Sequence, residues 1–91
     1  MTYNIQTTEL FKKHLLKLRD NQPKLYDKVF RFIDELRTHP RTGTGHPEQL
    51  KHYDTETWSR QINKQHRLVY EINENVVTVV LLSAFGHYDD K

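Results

Sequence analysis

Val76-Val77-Thr78-Val79-Val80-Leu81-Leu82-Ser83-Ala84-Phe85 decides the architecture of this chain. The stretch has no charged residue and is rich in β-branched side chains, the pattern of a central strand buried on both faces. It is too short for a membrane helix, which needs about 20 apolar residues. Upstream, Leu68-Val69-Tyr70-Glu71-Ile72 and Trp58-Ser59-Arg60-Gln61-Ile62 read as alternating strands. Residues 63–65 and 73–75 supply turn chemistry between them. Strands joined by such short turns pair antiparallel.

The first half has a different period. Tyr3 and Ile5 alternate with polar neighbours in a short N-terminal strand. Thr7 or Thr8 then caps a helix carrying Leu10, Phe11, His14, Leu15 and Leu18 at helical spacing. Asn21-Gln22-Pro23 ends it and opens a second helix, with Pro23 in the first turn. Tyr26, Val29, Phe30, Ile33 and Leu36 form the apolar stripe of that helix. Pro40 stops it, because a proline disfavours helical geometry in the residue before it. Thr42-Gly43-Thr44-Gly45 is a flexible turn. The order β–α–α–β–β–β predicts a two-layer α+β domain, a helical hairpin on a mainly antiparallel sheet. At 91 residues the chain is read as one domain, 1–91.

Composition removes several chemistries. With no cysteine there is no disulfide, thiolate metal site, iron–sulfur cluster or cysteine nucleophile. Six histidines stand at 14, 39, 46, 52, 66 and 87, none at the i, i+4 spacing of a helical metal site. No metal and no cofactor is expected. Ser59 and Ser83 lie in strand patterns without a nucleophile elbow. Three glycines leave no phosphate-binding loop. The N-terminus lacks the apolar core of a signal peptide, so the reading is a cytoplasmic protein without a membrane partner. The net charge of +2 is unevenly spread: residues 1–40 carry eight bases against five acids, and residues 71–91 one base against four acids. The basic excess in the first two thirds suits a polyanion.

What remains is a polar set in the β half. Glu48, Lys51 and His52 share one short segment. Arg60, His66 and Arg67 flank a hairpin, and His87 and Tyr88 follow the last strand. Such a set can cleave RNA without metal. Glu48 could take the 2′-OH proton. Arg67, Arg60 and Lys51 could offset phosphate charge. His87 could protonate the leaving oxygen near neutral pH, and Tyr88 could stack on a base. Each residue also has a plain reading. Glu48 could be an exposed acid, and Arg60 and Arg67 could be cross-strand partners of acids such as Glu71. His87 and Tyr88 could be ordinary tail residues, and Trp58 could be packing. Composition and spacing leave these alternatives open.

The order of the motifs carries a resemblance. Gly43-Thr44-Gly45-His46-Pro47-Glu48-Gln49-Leu50-Lys51-His52, then Trp58-Ser59-Arg60, then His66-Arg67-Leu68-Val69-Tyr70, then His87-Tyr88, resembles the YoeB/Txe toxins of type II toxin–antitoxin systems, within the RelE-like superfamily. The resemblance implies a microbial RNase-like fold. It implies a ribosome-dependent endoribonuclease that cuts mRNA in the A site through the 2′-OH, without metal, and so inhibits translation. By it Glu48 is the general base, Arg67 stabilises the phosphate, His87 is the general acid and Tyr88 positions substrate. Lys51, His52, Arg60 and His66 are the expected RNA contacts. The implied partners are ribosome, mRNA and a YefM-like antitoxin, with operator DNA reached only through the antitoxin complex. An apolar edge strand could pair two copies into a homodimer. Three departures stand out, the broadest being a chain less basic overall than many toxins of this class. Gln61 replaces a second base after Trp58-Ser59-Arg60, and Asp89-Asp90-Lys91 follow the His-Tyr pair. The competing expectations are a ParE-like gyrase inhibitor, which lacks the Glu, Arg and His-Tyr set, and a purely regulatory binding module.

Overall fold

Strand β1 (Asn4–Thr7) enters α1 (Glu9–Asn21) through Thr8, whose Oγ accepts the Phe11 amide at 3.2 Å. The computed structural model describes residues 2–86. His87 and Tyr88 lie outside the described residues. Pro23 opens α2 (Pro23–Leu36) at its first position, where its missing N–H costs nothing. The strands β2 (Glu48–Gln49), β3 (Glu56–Gln61), β4 (Arg67–Asn73) and β5 (Thr78–Ser83) follow. The sheet order is β1-β5-β4-β3-β2. Neighbours are antiparallel except β1 and β5, which run parallel. The long connection through two helices and three strands is what allows a parallel pair.

Several expectations are refined. A two-residue strand, β2, carries Glu48 and was not anticipated. β4 occupies the middle of the sheet, and β5 lies between β4 and β1. Only Val79 and Leu81 of β5 are buried, so one face of that strand is packed and the other half-covered. α2 ends at Leu36, well before Pro40. Its buried stripe is Val29, Phe32, Ile33 and Leu36, an i, i+3, i+4, i+7 set, while Phe30 is 45% exposed.

The core lies between the helices and one sheet face. Phe11, Leu18, Val29, Phe32 and Leu36 pack there with Ile62, Leu68, Tyr70, Ile72, Val79 and Leu81. Because strand side chains alternate, even-numbered residues of β4 face the helices and odd-numbered ones face away.

Gly45 is fixed by this packing. Its φ is +82°, and a Cβ there would sit 2.7 Å from Phe32 Cζ and 3.1 Å from Arg60 Cβ. Gly45→Ala therefore combines left-handed strain with overpacking and is expected to cost about 2–4 kcal/mol. Urea unfolding followed by circular dichroism checks this; a loss under 1 kcal/mol would show that the loop relaxes freely.

Candidate functional site

The site is built by strand register. Glu48 pairs with Ser59, Ser59 with Val69, and Val69 with Ser83. Directly paired residues project from the same face, so these four form one row across β2, β3, β4 and β5. Gln61 pairs with Arg67 in the adjoining row of that face. This is the face opposite the helices. Glu48 is exposed and Arg67 half-buried. Two strands and two residues apart, their Cα atoms are roughly 12 Å from each other.

The Glu48 segment is pinned on both sides. Before it, the Gln61 amide donates to Gly45 O at 2.7 Å. After it, the Leu50 amide donates to Thr57 O at 2.8 Å, and Leu50 is buried. One apolar anchor thus holds a short polar strand at the sheet edge. Lys51 and His52 follow as exposed residues of the bend, His52 with φ +69°. Arg67 is held by its own amide, which donates to Gly86 O at 3.0 Å.

Arg60 and His66 depart from expectation. The phosphate and RNA contacts expected of them do not fit where their side chains lie. Arg60 has no exposed surface and points to the helix side. Its Nε donates to Tyr70 Oη at 3.2 Å. Nη1 donates to Glu35 Oε1 and to Thr44 O, the latter at 3.2 Å. Nη2 donates to His39 O at 2.7 Å and Thr42 O at 2.8 Å. All five donors are engaged, and the acid it pairs with is Glu35 on α2 rather than Glu71. His66 is 5% exposed, on the same side as Leu68 and Tyr70. Its Nδ1 accepts the Gly86 amide at 2.8 Å, and its Nε2 meets the Gln22 side-chain amide at 3.2 Å.

Two groupings escaped sequence reasoning. Arg41 forks onto Glu56 at 2.6 and 2.9 Å, Trp58 Nε1 donates to Glu56 at 2.8 Å, and Tyr3 Oη donates to Glu74 at 2.6 Å. No local pattern announces Arg41–Glu56 or Tyr3–Glu74, which are 15 and 71 residues apart in the chain. The second is His14, whose Nδ1 accepts the Ala84 amide at 3.1 Å. A signal existed: a histidine in the middle of an apolar helical stripe.

Charge separates two openings formed by the described residues. A cavity of about 300 Å³ is lined by Glu56, Glu71 and Glu74 together with Thr55, Ile72, Asn73 and Asn75. Its acidic lining repels a polyanion. A cavity of about 280 Å³ is lined by Lys28, Gly45, His46, Gln61, Ile62 and Asn63. It adjoins the Gln61–Arg67 row and carries no acid, so it suits an anionic chain.

Several titrating groups respond to this packing. Burial raises the Glu35 carboxyl, but the Thr44 amide, Arg60 and the Thr44 hydroxyl outweigh it and leave it below 4.5. Arg41 holds Glu56 below 4.5 against the opposing effect of burial. Burial lowers His14 below 6.5, with Lys17 and His66 adding to it. In all three cases the unfolded chain binds more protons than the folded one, so stability falls as pH falls. The loss is expected to begin below about 6.5 through His14 and to continue below about 4.5 through the carboxylates. Urea midpoints at pH 8, 6 and 4 check the sign; a midpoint rising toward pH 4 would refute it.

A helical hairpin on a five-stranded mixed sheet is the microbial RNase-like architecture that this chain shares with its structural neighbours. Residues 7–88 match the family described as YoeB-like toxin of bacterial type II toxin–antitoxin system. Toxin YoeB of Synechocystis sp. is 36% identical over 84 residues, covering 92% of this chain and 95% of that toxin. The Staphylococcus aureus YoeB dimer superposes with a TM-score of 0.82 at 28% identity, covering 97% of this chain and 100% of that one. YoeB in the Staphylococcus aureus YoeB–YefM complex gives 0.78 at 29% identity over the same shares. The chain belongs to the YoeB-like toxins. Among the described residues, no helix is long and apolar enough to cross a membrane.

Proposed function

We propose that this toxin is a ribosome-dependent endoribonuclease that cleaves mRNA in the A site and so blocks translation in the cytoplasm. The observation that carries the reading is the register that sets Glu48 and Arg67 on one sheet face, opposite the helices. A gap of roughly 12 Å between their Cα atoms is filled by the two side chains with a ribose and its 3′-phosphate between them. Glu48 takes the 2′-OH proton. The 2′-oxygen attacks phosphorus, and Arg67 offsets the charge that builds on the phosphoryl oxygens. The P–O5′ bond breaks, His87 gives its proton to the leaving 5′-oxygen, and a 2′,3′-cyclic phosphate remains. Tyr88 positions the substrate. Exposed Lys51 and His52 contact the RNA backbone beside Glu48.

The ribosome is needed for a physical reason. A chain of net charge +2 attracts free RNA weakly. An mRNA held in fixed geometry supplies the positioning that the toxin does not. A YefM-like antitoxin neutralises the toxin, as the complex of the Staphylococcus aureus relative suggests, and the homodimer of that relative supports a dimer here.

The test uses ribosomes programmed with a short mRNA and a filled P site, with the RNA ends mapped by primer extension. A single cut in the A-site codon is expected, absent without ribosomes and absent in His87→Ala. Intact mRNA with folded toxin would overturn the reading in favour of a non-catalytic toxin.

A further inference from the structure

His14 on α1 and His66 before β4 both close on the end of β5. His14 Nδ1 accepts the Ala84 amide at 3.1 Å, and His66 Nδ1 accepts the Gly86 amide at 2.8 Å. Their rings approach the ring of the intervening Phe85, with centroids at 5.9 and 4.2 Å. Lys17 Nζ stands 5.1 Å from the centre of that same ring. Three consecutive residues are therefore gripped by side chains from two other parts of the chain. The next residue in the sequence is His87.

A backbone amide is a donor in every state, so each Nδ1 must be bare. The rings serve only as neutral imidazoles with the proton on Nε2. In His66 the atom 3.2 Å from Nε2 is the Gln22 side-chain nitrogen; turning that amide over, an assignment set by the hydrogen bonds, puts its oxygen there to accept the Nε2 proton. Protonation of either ring would set one N–H against another and remove the grip. Gly86, three residues past β5, has φ +84°, and a Cβ there would meet open space. The glycine thus serves the bend rather than close packing, and the two imidazoles decide where the bend sits.

We propose that His14 and His66 are positioning residues of the cleavage reaction: their bare Nδ1 atoms fix the backbone of residues 84–86, which lead in sequence to the general acid, and the cleavage rate depends on that grip, an assignment that rests on the endoribonuclease reading above. Among the described residues, the groups facing His14 are Lys17 from its own helix and His66 from the β3–β4 connection, while the segment after β5 presents neutral Ala84, Phe85 and Gly86. Burial and these neighbours keep His14 neutral at physiological pH. Acidification below about 6.5 charges it, and the grip on Ala84 is lost.

Single-turnover cleavage on programmed ribosomes between pH 5.5 and 8 separates a positioning role from a merely structural one. His14→Phe keeps the ring volume and removes the acceptor; the cleavage rate at saturation is expected to fall about 10–100-fold, with little change in the toxin concentration giving half-maximal rate. His14→Asn keeps an acceptor near the Nδ1 position that does not titrate. It is expected to restore the rate and to flatten the acid limb of the pH profile. In parallel, amide hydrogen exchange by NMR on the free toxin should show Ala84 protected in the wild type and in His14→Asn, and exposed in His14→Phe. Folded His14→Phe cleaving at the wild-type rate, or an acid limb unchanged in His14→Asn, would overturn the proposal. A wild-type toxin that fails to cut would overturn the cleavage reading and this assignment with it. The exchange data would still show whether His14 holds residue 84, so the two failures are told apart.

Discussion

Arg60→Met is expected to lower the free energy of unfolding by about 3–5 kcal/mol, the range for removing one partner of a buried ion pair. The substitution approximates the length of the side chain and deletes all five donors. Glu35 then loses its cation, though with 29% of its side chain exposed it regains some water. The carbonyls of His39, Thr42 and Thr44 lose their donors, and Tyr70 loses the Nε–H. Each buried acceptor left bare costs about 1–3 kcal/mol, and these losses do not simply add. Tyr70 still donates to Pro40 O at 2.8 Å, and the Gln61–Gly45 and Arg41–Glu56 bonds remain, so the loop between α2 and β2 keeps several ties. Arg60→Lys is expected to rescue little, because a single ammonium cannot span acceptors arranged around a planar fork. Urea unfolding of both variants provides the measurement. A loss below 1 kcal/mol in Arg60→Met would show that the loop stands without its central cation.

Glu48→Gln is expected to lower the rate of mRNA cleavage by roughly 10²–10⁴-fold, the usual contribution of a positioned general base. The amide keeps the shape of the side chain and cannot take the proton. Stability should change little, because Glu48 is exposed at the sheet edge and its strand is held by backbone bonds and by Leu50. Primer extension on programmed ribosomes, with a urea melt of the same preparation, separates the two effects. A variant that unfolds would give Glu48 a structural role. A folded variant that cuts at full rate would remove it from the chemistry.

Arg60 and Arg67 show how much of the site was legible. Both are basic residues on adjacent strands, flanking the same hairpin. Their sequence surroundings do not differ in any way that announces burial. Alternation states that Arg60 and Ser59 point to opposite faces, and likewise His66 and Arg67. It does not say which face the helices cover. That choice sends Arg67 to the face of Glu48 and Arg60 into the core. The same packing turns His66 from an expected RNA contact into an acceptor for the Gly86 amide. His14 stood in a visible apolar stripe, but its partner lies 70 residues away. The two-residue strand β2 was invisible because it has no periodicity of its own; its pairing with β3 defines it.

By itself the sequence determined the two helices, the cap at Thr8, the place of Pro23, the turns and the antiparallel run of strands. These are local effects of dihedral preference, side-chain period and the lack of an N–H in proline. It also carried the motif order that identifies the toxin family. Tertiary structure alone decided the parallel pairing of β1 with β5, the row that aligns Glu48 with Ser59, Val69 and Ser83, and the interior place of Arg60. Those follow from which sheet face buries its apolar side chains against the helices and from hydrogen bonds between distant segments, quantities that exist only once the chain has closed on itself.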